Sequence, residues 1–198
     1  KINKGQTLAI IGATGSGKTT FISLIPRFYD ATEGEVLVDG INVKDYKFDT
    51  LYDKLGYVTQ KAVLFAGSIR ENVFFGESAA PETDEELKNA IELSQAEEFV
   101  DKLPDGTEHM ISQMGRNVSG GQKQRLSIAR ALSRKPEILV FDDSFSALDY
   151  KTDAKLREGL NEKLKETTKI IVAQRISTIR HADKIIVLDR GEAVGMGT

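Results

Sequence analysis

A glycine-rich segment early in the chain ends in a lysine and a threonine, a combination suited to holding phosphate. It fits the pattern G-x-x-x-x-G-K-[ST] and consists of Gly12, Ala13, Thr14, Gly15, Ser16, Gly17, Lys18 and Thr19, followed by Thr20. Glycines let consecutive backbone N–H groups point inward around an anion, and Lys18 would reach the β- and γ-phosphates of a nucleotide. The Thr19 hydroxyl is a suitable ligand for Mg²⁺. The segment therefore predicts a site for ATP with Mg²⁺.

Two adjacent carboxylates, Asp142 and Asp143, follow the apolar run 138–141. Ligands of open α/β sheets bind beyond the carboxyl ends of the strands, so these side chains are placed to meet a bound phosphate. Asp142 suits the Mg²⁺ shell, directly or through water, as the acidic group that follows an apolar strand. Two aspartates at a strand end can also be simple solvated residues. Together with the glycine-rich segment, they favour the metal role for Asp142.

A third candidate group consists of Ser119, Gly120, Gly121 and Gln122, which precede a predicted helix. A serine and two glycines at a helix start expose N–H groups and a hydroxyl to an anion. The other interpretation is a simple N-cap with a flexible lead-in, and these four residues on their own favour the cap.

Apolar runs predict the strands that must bring these groups together. Strands are predicted over 7–11, 55–59, 138–141, 170–173 and 185–188, with a hairpin over 35–43 that turns at Asp39-Gly40. Runs that are continuously apolar are typical of strands buried on both faces of a parallel sheet. The pattern therefore predicts an α/β fold in which the glycine-rich segment joins a strand to a helix.

Helical spacing predicts the remaining elements. After the glycine-rich segment, Phe21, Leu24, Ile25 and Phe28 recur at helical spacing, which predicts a helix that Pro26 should end or kink. Further helices are predicted over 94–103, over 123–134 and around Leu156, Leu160 and Leu164. The α/β pattern thus encloses a helical insertion near 66–133.

Composition excludes several classes of protein. The 198 residues are 40% hydrophobic and carry a net charge of −3, which argues against a general nucleic-acid binder. The chain has no cysteine, so it has neither a disulfide framework nor a thiolate metal site. No apolar run reaches the roughly 18 residues that a membrane span needs. The composition predicts a soluble cytoplasmic chain.

The segment Val118 to Arg125 resembles the signature sequence of ABC transporter ATPases. It lies between the glycine-rich segment and the Asp142 strand, which is the order in that family. Gln60 stands where the family carries its Q-loop glutamine, and Ser146 to Asp149 resembles its D-loop. The stretch Val63 to Val73 is similar to the exporter branch. The resemblance covers essentially the whole chain and rests on five ordered motifs.

This resemblance implies a P-loop NTPase (RecA-like) parallel-sheet core over 1–65 and 134–198 with an inserted α-helical subdomain over 66–133. It also implies that strands of an N-terminal β-subdomain, and an aromatic residue that stacks on adenine, precede residue 1. The domain would lie at the cytoplasmic face of the cell membrane and act with the transmembrane domains of the transporter.

The resemblance further implies a head-to-tail dimer of two nucleotide-binding domains around two ATP-Mg²⁺. Ser119, Gly120, Gly121 and Gln122 would then serve the ATP held by the partner. Gln60 would touch Mg²⁺ and sense the γ-phosphate, which couples the site to the helical subdomain.

Two departures from the family pattern bear on catalysis. Where the family has a glutamate as presumed base, this chain has Asp143, whose carboxylate is about 1.5 Å shorter in reach. Where the family has a histidine that contacts the γ-phosphate, this chain has Gln174, which cannot carry a positive charge. A milder departure is Gln113 in place of a glutamate. The pattern resembles the degenerate-site subunit of a heterodimeric bacterial exporter, with Lys18, Asp143 and Gln174 forming a slow site.

Two other functions remain open on the sequence. One is a regulatory ATP-binding clamp with negligible hydrolysis, which Asp143 and Gln174 favour. The other is a soluble ABC-type ATPase that acts in DNA repair, on chromosomes or on ribosomes. Such proteins carry long coiled-coil or basic insertions, and this chain has neither.

Overall fold

A computed structural model describes residues 1–174 and 176–198 of the chain. Its centre is a six-stranded sheet in the order β10-β9-β1-β8-β7-β4. Neighbouring strands pair in parallel except β10, which pairs antiparallel with β9 at one edge. The six strands are Thr7–Ile11 (β1), Leu55–Val58 (β4), Ile138–Asp142 (β7), Thr168–Val172 (β8), Lys184–Asp189 (β9) and Glu192–Gly197 (β10). The predicted α/β fold with a parallel-sheet core is confirmed.

Two small antiparallel pairs lie apart from the central sheet. They are Leu37–Val38 (β2) with Ile41–Asn42 (β3), and Gly67–Ser68 (β5) with Met110–Ile111 (β6). The helices are Lys18–Ser23 (α1), Phe48–Asp53 (α2), Ile69–Val73 (α3), Asp84–Leu93 (α4), Glu97–Val100 (α5), Gly120–Ser133 (α6), Tyr150–Lys163 (α7) and Ile176–Ile179 (α8). Among the helices of the described residues, none is long and apolar enough to cross a membrane.

Alternating residues of the sheet pack into two different cores. On one face Ala9, Leu139 and Phe141 join a large cluster that continues into the helices between β4 and β7. On the other face Ile10 and Val140 pack with Ile22 of α1. Because successive side chains of a strand point to opposite faces, a strand covered on both sides must be apolar at every position. This explains the continuous apolar runs of the sequence.

The structure corrects several details of the predicted helices and strands. Helix α1 ends at Ser23, before Pro26, and its fully buried residue is Ile22, whereas Phe21 and Phe28 are exposed. The helix predicted from the spacing of Phe21 to Phe28 was too long. It has only six residues, and the chain then turns through Arg27, which has a left-handed φ of 59°. Strand β10 was not predicted.

The helix predicted over 94–103 was too long, because Gln95 has a left-handed φ of 60° and only Glu97–Val100 is helical there. The other predicted elements are present, with ends that differ by a few residues. The hairpin turns at Asp39-Gly40, and the helix predicted over 123–134 begins three residues earlier, at Gly120. The helical segment shares one buried cluster with the central sheet. The division into 1–65 with 134–198 and 66–133 stays a prediction.

Candidate functional site

The glycine-rich loop between β1 and α1 has a backbone that most other residues could not adopt. Gly15 and Gly17 have left-handed φ angles of 81° and 95°. A Cβ on Gly12 would collide with the Leu188 carbonyl oxygen and would lie 2.5 Å from Ser16 Oγ. The glycines are therefore required by torsion at two positions and by close packing at a third.

The ammonium group of Lys18 lies at the mouth of this loop. Its Nζ donates to the carbonyl oxygens of Gly12 (2.7 Å) and Ala13 (2.8 Å) and to Ser16 Oγ (3.4 Å). All three acceptors are neutral, so these bonds leave the positive charge uncompensated. The loop thus offers a cation beside a glycine-rich backbone, the combination that binds an anion in such loops.

Thr19 and Asp142 meet beside the loop. The Thr19 hydroxyl, on α1, donates to Asp142 Oδ1 at the end of β7, with 3.0 Å between the oxygens. Asp142 is only 5% exposed. Burial raises its pKa, and the neighbouring Asp143 adds to this, whereas the Thr19 hydrogen bond and Lys18 oppose it. A hydroxyl and a carboxylate oxygen are the hard ligands that Mg²⁺ prefers, so this pair fits the predicted metal.

Asp143, which follows β7, is hydrogen-bonded to residues that follow the two neighbouring strands, β4 and β8. Its Oδ2 accepts one hydrogen bond from Gln60 Nε2 (3.1 Å), which follows β4, and one from Gln174 Nε2 (2.7 Å), which follows β8. Its backbone is left-handed, with φ at 47°, and its N–H donates to Val172 O at 3.0 Å. Two of the predicted site residues, Gln60 and Gln174, therefore meet at one carboxylate oxygen of a third, Asp143.

Ser119 and Gln122 form a reciprocal cap at the start of α6. The Gln122 N–H donates to Ser119 Oγ at 3.3 Å, and the Ser119 N–H donates to Gln122 Oε1 at 2.8 Å. The capping interpretation is confirmed, and a role for these residues toward an anion stays a prediction. Within the described part of the chain, no hydrogen bond or ion pair joins residues 119–122 to residues 12–19. The structure places them in two separate groups.

Two further residues support the loop and were not found from the sequence. The Gly191 N–H donates to the Ser16 carbonyl oxygen at 2.9 Å, and Leu188 O lies against Gly12. The turn between β9 and β10 therefore braces the glycine-rich loop. Arg190 and Gly191 both have positive φ there, and the glycine is a sequence signal of a tight turn.

A family model for ABC transporters matches residues 1–146, about three quarters of the chain. The chain belongs to the ABC transporter family. The resemblance drawn from the five sequence motifs is confirmed at the level of this family.

Several members of the ABC transporter family are similar over the full length of this chain. A multidrug export ATP-binding/permease protein of Staphylococcus aureus is 45% identical over 197 residues, and ABC transporter B family member 21 of Arabidopsis thaliana is 44% identical over 197 residues. Both alignments cover 100% of this chain. The chain spans 34% of the bacterial relative and 15% of the plant relative.

A solved structure supports the same placement within ABC transporters. The structure of a bacterial Atm1-family ABC exporter with ATP bound superposes with a TM-score of 0.92 at 36% identity. The match covers 98% of this chain and 34% of that chain. The similarity therefore concerns one part of a larger transporter.

Proposed function

We propose that this chain is the ATP-binding domain of an ABC exporter and that it holds ATP with Mg²⁺ at the Lys18 loop. The observation that carries the proposal is the convergence of Lys18, Thr19, Asp142 and Gln60 at one edge of the sheet. The family of the chain and the ATP-bound exporter that shares its fold both support this function. Such a domain belongs at the cytoplasmic face of the cell membrane.

Each residue of the loop has a defined task toward the phosphates. The backbone N–H groups of 12–19 surround the β-phosphate, and Lys18 exchanges its carbonyl partners for β- and γ-phosphate oxygens. Thr19 and Asp142 would hold Mg²⁺, and Gln60 would supply a further oxygen ligand. When bound, Mg²⁺ withdraws negative charge from the phosphoryl oxygens that it touches. Asp142 must be ionised for this, despite its raised pKa.

Hydrolysis at this site is slow in our proposal because of Asp143 and Gln174. A carboxylate that reaches about 1.5 Å less far places the base too far from the attacking water, and misplacement of about 1 Å can cost on the order of 10²-fold in rate. In addition, Oδ2 of Asp143 already accepts two amide hydrogen bonds. Gln174 can hold a γ-phosphate oxygen by hydrogen bonding but supplies no positive charge.

The partner in this proposal is a second, non-identical nucleotide-binding domain. Ser119 lies away from the Lys18 loop and at an exposed helix start, which suits a role toward ATP bound by another chain. The capped end of the 14-residue helix α6 offers N–H groups and a positive dipole end. An intact signature segment beside a weakened catalytic site favours a heterodimer in which the partner's site does the turnover.

The transmembrane part of the exporter has a suitable docking place in a groove of about 880 Å³. The groove is lined by three aromatic residues, Phe28, Tyr52 and Tyr57, and by residues of the segment 77–82. Its charged lining residues are Asp49, Asp53, Glu77, Glu82 and Arg134. Since the chain spans only 34% of its bacterial relative, we propose that a segment from the rest of the polypeptide with apolar and basic residues fills this groove.

Turnover of ATP by a double variant tests the slow-site proposal. Asp143→Glu with Gln174→His restores the longer carboxylate and the cationic ring, so we expect hydrolysis at the Lys18 site to rise by about 10²-fold. The measurement is steady-state ATP turnover of the intact transporter with the partner's site inactivated. Wild-type turnover equal to that of the double variant would contradict the proposal.

The regulatory clamp is the second candidate, and the double hydrogen bond on Asp143 favours it. In that function the Lys18 site closes the dimer and never cleaves ATP. The same double variant separates the two functions, because a clamp whose only role is binding gains no transport activity when its hydrolysis is restored.

A further inference from the structure

The segment 59–65, which follows β4 and contains Gln60, is held to helix α6 at both of its ends. At its start, the side chain of Gln124 donates from Nε2 to the Thr59 carbonyl oxygen at 3.2 Å. Gln124 is 1% exposed and lies on a helix whose residues from Gly121 to Ser133 are all buried or half-buried. A buried amide is costly unless its hydrogen bonds are made, so this contact fixes Thr59, the neighbour of Gln60, to α6.

At the other end of the segment, Arg130 of α6 makes the equivalent anchor. Its Nη1 donates to Val63 O at 2.9 Å, and its Nε donates to Asn72 O at 2.7 Å. The guanidinium lies 5.5 Å from the ring centre of Phe65 and 5.4 Å from that of Phe75, and these two rings stack at 4.1 Å. Burial lowers the pKa of Arg130 to about 10, a value at which the group is still charged at neutral pH.

The side chain of Asn72 completes this second anchor by bonding both backbone groups of Phe65. It is 1% exposed, accepts from the Phe65 N–H at 2.9 Å and donates to the Phe65 carbonyl oxygen at 2.9 Å. Arg130 Nη2 also donates to Asn72 Oδ1 at 3.1 Å. The segment therefore has polar bonds on both sides of Gln60, and Arg130 and Gln124 lie on the same helix.

Helix α6 is also held directly against β4, the strand that leads to Gln60. A Cβ on Gly56 of β4 would lie 2.9 Å from the Ala131 carbonyl oxygen and 2.8 Å from Pro136 Cγ. Such a close approach of helix and strand leaves little freedom for one to slide on the other. The end of β4, the Gln60 segment and α6 thus form one tightly connected unit.

We propose that Gln124 and Arg130 are positioning residues that tie Gln60 to helix α6, so that Gln60 and Ser119 move together. The inference rests on the proposed function, in which Gln60 responds to the γ-phosphate at this site and Ser119 serves ATP on the partner. Ser119 and Arg130 lie eleven residues apart on one helix, roughly 16 Å along its axis. When Gln60 moves in response to the γ-phosphate, helix α6 moves with it and carries the displacement over that distance to Ser119 at the partner's site.

A double-mutant cycle with Gln60 in the intact transporter tests this inference. Gln124→Met keeps the length of the side chain and removes the donor to Thr59. We expect it to lower kcat by about 10-fold with less than about a 2-fold change in KM for ATP, since it disturbs coupling and not binding. In the Gln60→Ala background the same substitution should change kcat by less than about 2-fold, because the link then has nothing to transmit.

Two controls separate positioning from general destabilisation. Gln95→Met removes a comparable bond, since Gln95 Nε2 donates to Glu92 O at 3.2 Å, but it does not touch the 59–65 segment. We expect its kcat to match the wild type. Arg130→Lys keeps the charge and loses the planar fork, and it should reproduce the kcat loss of Gln124→Met without a change in KM.

The outcomes distinguish the inference from the function on which it rests. Losses from Gln60→Ala and Gln124→Met that multiply, or a kcat loss in Gln95→Met equal to that in Gln124→Met, would overturn the positioning role. Lys18→Ala with unchanged ATP binding would contradict the proposed function itself. Non-additive losses together with Lys18-dependent ATP binding support both.

Discussion

At the residue scale, Asp142 and Asp143 are adjacent in sequence but have different environments. Asp142 is buried and bonded to a hydroxyl, whereas Asp143 accepts two amide donors on one oxygen. The first arrangement suits a cation that supplies compensating charge. The second occupies an oxygen that a general base would need for water. One dipeptide therefore accounts for both strong binding and weak catalysis in the proposed site.

The raised pKa of Asp142 gives a prediction for stability and its pH dependence. Because the folded-state pKa lies above the unfolded value, the ionised carboxylate destabilises the folded state above that pKa, and this cost disappears as the pH falls through it. We expect Asp142→Asn to raise the thermal midpoint of the nucleotide-free protein at pH 7. The gain should shrink on acidification, and Mg²⁺-dependent ATP affinity should fall by about 10- to 100-fold.

Asp149 supplies the matched control for Asp142. Hydrogen bonds from Thr152 and other groups at the start of α7 lower its pKa, so its ionised form stabilises the folded state. Asp149→Asn should therefore lower the thermal midpoint at pH 7, with a smaller effect at acidic pH. A lower midpoint in Asp142→Asn would show that burial of its charge is not the dominant influence on Asp142.

At the element scale, the carboxyl ends of β4, β7 and β8 assemble the site because these strands are parallel. Gln60 and Gln174 lie more than a hundred residues apart along the chain, yet both meet Asp143 because each of the three residues follows one of these strands. Apolar runs predicted the strands, and parallel pairing predicted that Asp142 and Asp143 lie at the ligand-binding edge. Gln60 and Gln174 were assigned to the site by the resemblance to ABC transporter ATPases. The sequence was sufficient for this part of the site.

Contacts between elements that are distant in sequence were not predictable in the same way. Nothing in the spacing of Gln124 indicates that its amide reaches Thr59, because that bond depends on how α6 lies on β4. Strand β10 has two glycines and no regular alternation, so only its pairing with β9 defines it. The Leu188 carbonyl against Gly12 is likewise a product of packing.

Gly56 gives a test of how closely α6 must approach β4. Gly56→Ala would place a methyl group against the Ala131 carbonyl oxygen, Pro136 and Leu139, all within 3 Å. We expect a loss of about 1–3 kcal/mol in unfolding free energy, as for other overpacked sites. Denaturant unfolding would measure it. In Gly197→Ala, where the added Cβ meets nothing within 4 Å, the change should stay within about 0.5 kcal/mol.

At the scale of the whole molecule, the groove that we propose as the docking place for the transmembrane part is acidic. The groove has four carboxylates and one guanidinium among its lining residues. Its aromatic lining residues, Phe28, Tyr52 and Tyr57, offer apolar contact in the same groove. Apolar and basic side chains together would fit both features.

Charge reversal in the groove tests that attachment. Asp49→Lys with Glu82→Lys changes two exposed lining residues that lie outside the nucleotide site. We expect ATP binding to remain while transport per ATP hydrolysed falls, because the docking segment would meet like charge. Substrate transport and ATP turnover measured together in vesicles would show the change in ratio. Transport that keeps its wild-type ratio would exclude the groove as the docking place.

The most direct test of the slow site is a single-turnover measurement on the intact transporter loaded with ATP at both sites. We expect a rapid release of phosphate from the partner's site and a second phase slower by about 10²-fold from the Lys18 site. In Asp143→Glu/Gln174→His the slow phase should become rapid. Rapid release from the Lys18 site in the wild type, unaffected by Asp143→Ala, would contradict the account.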